Sequence, residues 1–251
     1  MTKMFGNLTD ENLEKTGDVL GGGGPVESGI YTGTVKLAYA GKSNSSNAQS
    51  IVVHIDTGNR EIRESLWVTN RNGENFYADK KDPNKKRPLP GYTTADDLCL
   101  VTTGHPLSEQ DLEEKVVNLF DFEARAERPQ NVPVLVDVIG KEVTVAVLKQ
   151  TVDKNVQDSS GKYVPSGETR DENVIDKVFH AESQRTVTEI REGLEEGKFL
   201  EAWKAKNEGQ TRNRAKGADG KTGAPGGAGA PPARGNSAPG NAKPKTSLFG
   251  S

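Results

Sequence analysis

Four aromatic residues, Trp67, Phe76, Tyr77 and Tyr92, share one stretch, WVTNRNGENFYADKKDPNKKRPLPGY, with Arg71, Lys80, Lys81, Lys85, Lys86 and Arg87. Only Glu74, Asp79 and Asp82 dilute its positive charge. A ring offers a flat face on which an unpaired base stacks, and Lys and Arg side chains follow a phosphate backbone. The mixture therefore has the chemistry of a grip on single-stranded nucleic acid. Aromatics are 6% of the whole chain, which makes this a local concentration and not a general bias. Tyr39, in a strand-like segment upstream, is a further candidate for stacking. Pro83, Pro88 and Pro90 limit the freedom of the basic loop.

Other chemistries find no set of residues to carry them. His54, His105, His180 and Cys99 show no metal-ligand spacing. The acids Glu109, Asp111, Glu113, Glu114, Asp121, Glu123 and Glu127 lack a His or Gly-rich partner and read as the solvated face of a helix. Gly220-Lys221-Thr222 is not a phosphate loop, because position 215 is Ala where that motif needs Gly and no strand precedes it. The expectation is a protein without catalysis, cofactor or metal.

Charge narrows the reading. The net charge is −3, yet the segment from Gly209 to Ser251 holds Arg212, Arg214, Lys216, Lys221, Arg234, Lys243 and Lys245 against the lone acid Asp219. The body before it is more acidic than the whole, which argues against nonspecific spreading on duplex DNA. Binding then needs cations gathered in a groove or loop. With 32% hydrophobic residues, a compact core is expected over only part of the length. No apolar run is long enough to span a bilayer. The first residues, MTKMFGNLTDENLEK, lack the apolar centre of a secretory signal, and Cys99 is the single cysteine, so a cytosolic setting is expected.

Along the chain, residues 1–24 read as an arm with a short helix capped at Thr9 or Asp10 and broken by Gly21 to Gly24. From Gly29, alternation of apolar and polar residues, a GKSNSSN loop and a Gly58-Asn59 turn predict three antiparallel strands up to Thr69. Thr94-Ala-Asp-Asp predicts a helix start, with the helix closing before Gly104. A helix-like piece or an ordered excursion is expected from Pro106 to Val117, and a short helix over VPVLVDVI from residue 132, closed by Gly140. Glu142–Val152 is the clearest strand, 153–172 a polar loop, and Asn173–His180 a last strand. Residues 184–208 read as a charged helix weakened by Gly193 and Gly197. Beyond Gly209, glycines at 217, 220, 223, 226 and 229 fit a disordered linker better than a triple helix, and it ends in the apolar pair Leu248-Phe249, suited to docking a partner. The fold class expected is mainly β with added helices: a five-stranded Greek-key barrel with helical insertions and a disordered C-terminal tail.

The chain resembles the single-stranded DNA-binding proteins of tailed phages, a divergent group built on an OB-fold. The likeness rests on MFGNL (4–8), KLAYAG (36–41), WVTNRNGENFY (67–77) with PLPGYTTADDLCLVTTG (88–104), KVVNLFDF (115–122) and SLFG (247–250). The resemblance implies sequence-independent binding of unpaired DNA in phage replication, recombination or repair, in the cytoplasm of the infected host cell. It also implies an OB-fold domain over 25–182, followed by the helix at 183–208 and the tail at 209–251. Many replication-type single-strand binders dock phage or host replication proteins through an acidic tail ending in an aromatic. Here Phe249 keeps the aromatic but the tail is basic, a charge that suits added DNA affinity. The alternative reading is a non-enzymatic scaffold of a replication complex that holds partners through its barrel and through Leu248 and Phe249.

Overall fold

The computed structural model describes residues 24–43, 46–121, 124–157, 159 and 163–216; the expected N-terminal arm up to residue 23, and Leu248 and Phe249, lie outside them. The molecule is mainly β. Strands β1 (Gly29–Lys42), β2 (Gln49–Asp56) and β3 (Glu61–Trp67) form the expected antiparallel meander, turned at Gly58-Asn59. Val35, Ala38, Ile51, Val53, Ile55, Ile62 and Leu66 all point to one side and are buried there.

The chain leaves β3 at Trp67, makes a separate two-stranded ribbon, β4 (Phe76–Ala78) with β5 (Lys86–Pro88), and enters helix α1 (Pro90–Thr103). The helix begins four residues before the expected Thr94. Pro90 explains the early start, since a proline in the first turn loses no helical hydrogen bond. Gly104, at φ 80°, ends the helix as expected. Ala95, Leu98, Cys99 and Val101 of α1 cover the meander's buried side.

The helix-like piece expected from Pro106 is mostly strand, and the one expected over 132–139 is strand to Leu135 and then turn. After a single 3-10 turn at Leu107–Glu109, β6 (Leu112–Asp121) pairs along its whole length with β7 (Ala126–Leu135). Val116 and Val117 favour extended backbone, and the cross-strand ladder outweighs the helix-start signal of Pro106. Of the acids thought to coat a helix, Glu113, Glu114, Asp121 and Glu127 therefore lie on this hairpin. Pro129 and Pro133 sit in β7 opposite Asn118 and Glu114, a position open to proline because only Val134 of β7 pairs onward, with Tyr39.

The clearest expected strand continues further than its apolar pattern. β8 (Glu142–Gln157) and β9 (Tyr163–His180) form a long hairpin that replaces the polar loop at 153–172. Its outer part is held by ladder bonds and polar pairs, Lys154 with Glu168 at 2.8 Å and Thr151 with Asp171 at 2.6 Å, so no hydrophobic alternation marks it. Val143 to Leu148 of β8 are buried without a break. They face the main core on one side and, through Ala146 and Leu148, a second cluster with Phe179, Leu200 and Trp203 on the other.

The expected long helix at 184–208 is two short ones, α2 (Val187–Arg191) and α3 (Phe199–Asn207). The chain breaks at Gly193, whose φ of 69° is left-handed, and Glu189 bridges the gap. Its carboxylate accepts from Thr186 N–H in α2's capping box and from the Lys198 and Phe199 N–H groups that open α3. Burial alone would raise the Glu189 carboxyl, but these donors hold it below the usual carboxylate range. The chain then adds β10 (Thr211–Asn213) parallel to β8, so the first residues of the expected tail belong to the sheet.

The main sheet runs β9–β8–β1–β2–β3, with β10 continuing the edge of β8 beyond β1. Among the described residues no ladder joins β3 to β9, so the expected barrel is not closed by backbone pairing. Side chains span the seam instead. Glu64 of β3 accepts a hydrogen bond from Ile175 N–H of β9, and Lys177 of β9 meets Asp97 of α1 at 3.3 Å. Burial pushes the Glu64 carboxyl up to about 7, with Glu172 and Asp176 adding to the rise against the Ile175 N–H.

Candidate nucleic-acid interface

The side of the meander turned away from the core is an open face. Cross-strand register sets its rows: Leu37, His54 and Arg63; then Tyr39, Val52 and Ser65; then Gly41, Ser50 and Trp67. Alternation in β2 and β3 puts these residues opposite Ile51, Val53, Ile55, Ile62 and Leu66. Trp67 and Tyr39 therefore share a face, with Trp67 47% exposed and Tyr39 half-buried. Tyr39 lies beside His54, ring centres 6.1 Å apart and tilted 56°. Burial raises the Tyr39 phenol further from ionisation, so it stays a neutral ring.

The basic ribbon is anchored at Trp67. Gly91, where the chain returns, packs so closely that a Cβ there would lie 2.5 Å from Trp67 O and 2.7 Å from Trp67 N. Asn70 and Leu89 tie the ribbon's base through bonds to Phe76 O and Asn75 O. On one side of the ribbon Lys86 Nζ stands 4.1 Å from the centre of the Phe76 ring, a cation–π contact. On the other side Tyr77, 40% exposed, is paired directly with Arg87. Phe76 and Tyr77 thus face opposite ways, each beside a cation. Arg87 also binds Asp79, and the Lys81 N–H with Arg87 holds that carboxyl below the usual range. Arg71 is exposed in the turn before the ribbon, and Lys80, Lys81 and Lys85 in the turn that joins its two strands. Tyr92 is placed differently: it packs from α1 against the core and does not join the open rings.

The β6–β7 hairpin walls one side of the open face, leaving a groove of about 550 Å³ lined by Lys36, Tyr39, His54, Arg63, Phe120 and Glu127 among others. Phe120 is 48% exposed. Glu61 collects three donors beside it: His54 Nδ1 at 2.9 Å, Lys36 Nζ at 3.1 Å and Arg63 Nε. Burial would raise Glu61, but Arg63 and Lys36 hold it below the carboxylate range. Burial lowers the His54 imidazole, helped by the charge of Arg63 and opposed by Glu61. Lys36, His54, Arg63 and Phe120 were not singled out as binding residues from the sequence. The register through Gly58-Asn59 carried the signal for His54 and Arg63, since it places both on Tyr39's side.

Elsewhere, Cys99 is buried in α1 and burial pushes its thiol up to about 12. His105 meets Glu109 at 3.3 Å and His180 contacts Ser183, on separate elements. Among the described residues no group of three or more His, Cys, Asp or Glu side chains is placed to hold a metal ion, and no helix is long and apolar enough to cross a membrane. No protein-family model and no curated protein matches this sequence.

Proposed function

We propose that this protein binds single-stranded DNA without sequence preference and without catalysis, and serves phage DNA replication, recombination or repair in the infected cell. The observation that carries the reading is the open face of the meander, with Trp67 and Tyr39 on it and Lys36 and Arg63 lining the groove with Tyr39, and the Lys/Arg ribbon that leaves the sheet at Trp67 adds further cations. Bases stack on the rings while phosphates run along the cations. The strand order β9–β8–β1–β2–β3, with α1 between β3 and β8, is also the order of a five-stranded OB barrel, a fold that binds oligonucleotides on its strand 2–3 face. In this reading the β3–β9 seam is where such a barrel closes, and β6–β7 is an insertion. Anisotropy titration of labelled oligo(dT) and the matching duplex at two salt concentrations tests it. Tighter binding of the single strand, with a log–log salt slope of about −0.7 per phosphate neutralised, is expected; equal affinity for both overturns it.

Exposed Leu112, Val116 and Phe120 on one side of β6 favour the second reading, a scaffold that docks partners. That reading predicts no retention on single-stranded DNA cellulose.

A further inference from the structure

The groove's charge is arranged unusually for a nucleic-acid site, because its donors converge on an acid. Oε1 of Glu61 takes His54 and Arg63, and Oε2 takes Lys36. The three donors come from three strands. Lys36 reaches the cluster because β1 carries a bulge between Val35 and Leu37, which puts two residues, not one, between the core-facing Val35 and Ala38. The Lys36 and Arg63 side chains are 61% and 57% exposed, whereas Glu61 and His54 are 20% and 12% exposed. The cations stand at the rim and the carboxylate sits beneath them. Tyr39 and Phe120 line the same groove.

We propose, resting on the single-strand reading above, that the Glu61 carboxylate holds the place of a backbone phosphate among Lys36, His54 and Arg63, and that DNA enters the groove by exchanging a phosphate for it. Both anions present oxygens to the same donors. Lys36 and Arg63 are more than half exposed, so water screens their ends of the pairs and eases the exchange. Glu61 then serves as an internal competitor: it offsets part of the positive charge of Lys36 and Arg63 when the groove is empty and favours ligands that also supply a base for the rings over simple anions.

The test is Glu61→Gln beside Asp56→Asn. Asp56 is the register partner of Glu61, and the Asn variant removes the same charge while keeping the oxygen that accepts the Gly58 N–H. Wild type must first bind oligo(dT) at low salt; failure there overturns the single-strand reading itself. Glu61→Gln is expected to tighten binding about 5–10-fold and to steepen the salt slope by up to about 0.7. Asp56→Asn is expected to change affinity less than about twofold, and the Glu61→Gln gain to vanish when Arg63→Gln and Lys36→Gln are added. No tightening, or tightening equal to that of Asp56→Asn, overturns the proposal. Carboxyl NMR of the wild type gives an independent reading should Glu61→Gln misfold. Saturation with oligo(dT) is expected to return the Glu61 titration toward the ordinary carboxylate range, and an unchanged titration overturns the exchange.

Discussion

At the scale of single residues, two tyrosines and a tryptophan from one stretch have different work. Trp67 is nearly half exposed at a strand end, so Trp67→Ala is expected to weaken oligo(dT) binding by about 1–3 kcal/mol with little loss of stability. Tyr92 packs on the core, and Tyr92→Ala is expected to lower the melting temperature, by about 1–3 kcal/mol of stability, with affinity unchanged among folded molecules. Anisotropy and thermal melts on both variants check the pair. Replacing Lys80, Lys81, Lys85 and Lys86 by Ala is expected to flatten the salt slope by about 0.7 for each phosphate that these side chains neutralise. Composition and spacing pointed to the rings and cations of 67–92, because that signal is local. They could not separate Tyr92 from Tyr77, since the difference lies in whether helix or ribbon carries the residue. Lys36 was also beyond reach, because only the β1 bulge turns it onto the face.

At the scale of elements, local pattern was readable where burial is one-sided and unreadable where ladders or single side chains decide. The meander's alternation was plain. The β8–β9 extension was hidden because polar pairs and not apolar faces hold it, and β6 was mistaken for helix because its partner strand lies beyond a turn. Glu64 bridges the seam between β3 and β9 to Ile175 N–H, and burial pushes its carboxyl up to about 7. Its folded value lies above the ordinary one, so folding favours the protonated form. The stabilisation is complete below the unfolded value near 4.5 and is lost as pH rises through about 7. Thermal melts from about pH 5 to pH 8 should show wild-type stability falling by on the order of 2 kcal/mol from this group. Glu64→Gln keeps an oxygen for Ile175 N–H and should remove most of that fall. A parallel pH dependence in both proteins would take Glu64 out of the seam's titration.

At the scale of the whole molecule, an acidic chain presents a local cationic, aromatic face, and under the proposed function that contrast is what would select unpaired over paired DNA. A duplex hides its bases from Trp67 and Tyr39 and offers only phosphates, to a chain whose net charge is −3. The class, mainly β with few helices, was legible because strand alternation survives in the sequence; the expected closed barrel is not formed by backbone pairing among the described residues, a matter of contacts far apart along the chain that local pattern does not record. The most direct check uses the two tryptophans. Trp203 is buried and donates its indole N–H to Asp176 at 2.7 Å, so it cannot meet a base, whereas Trp67 stands on the open face. Titration with oligo(dT) is expected to quench the intrinsic fluorescence of the wild type and to leave that of Trp67→Phe unchanged. An unquenched wild type at saturating oligo(dT), or equal quenching in both proteins, would contradict stacking on this face.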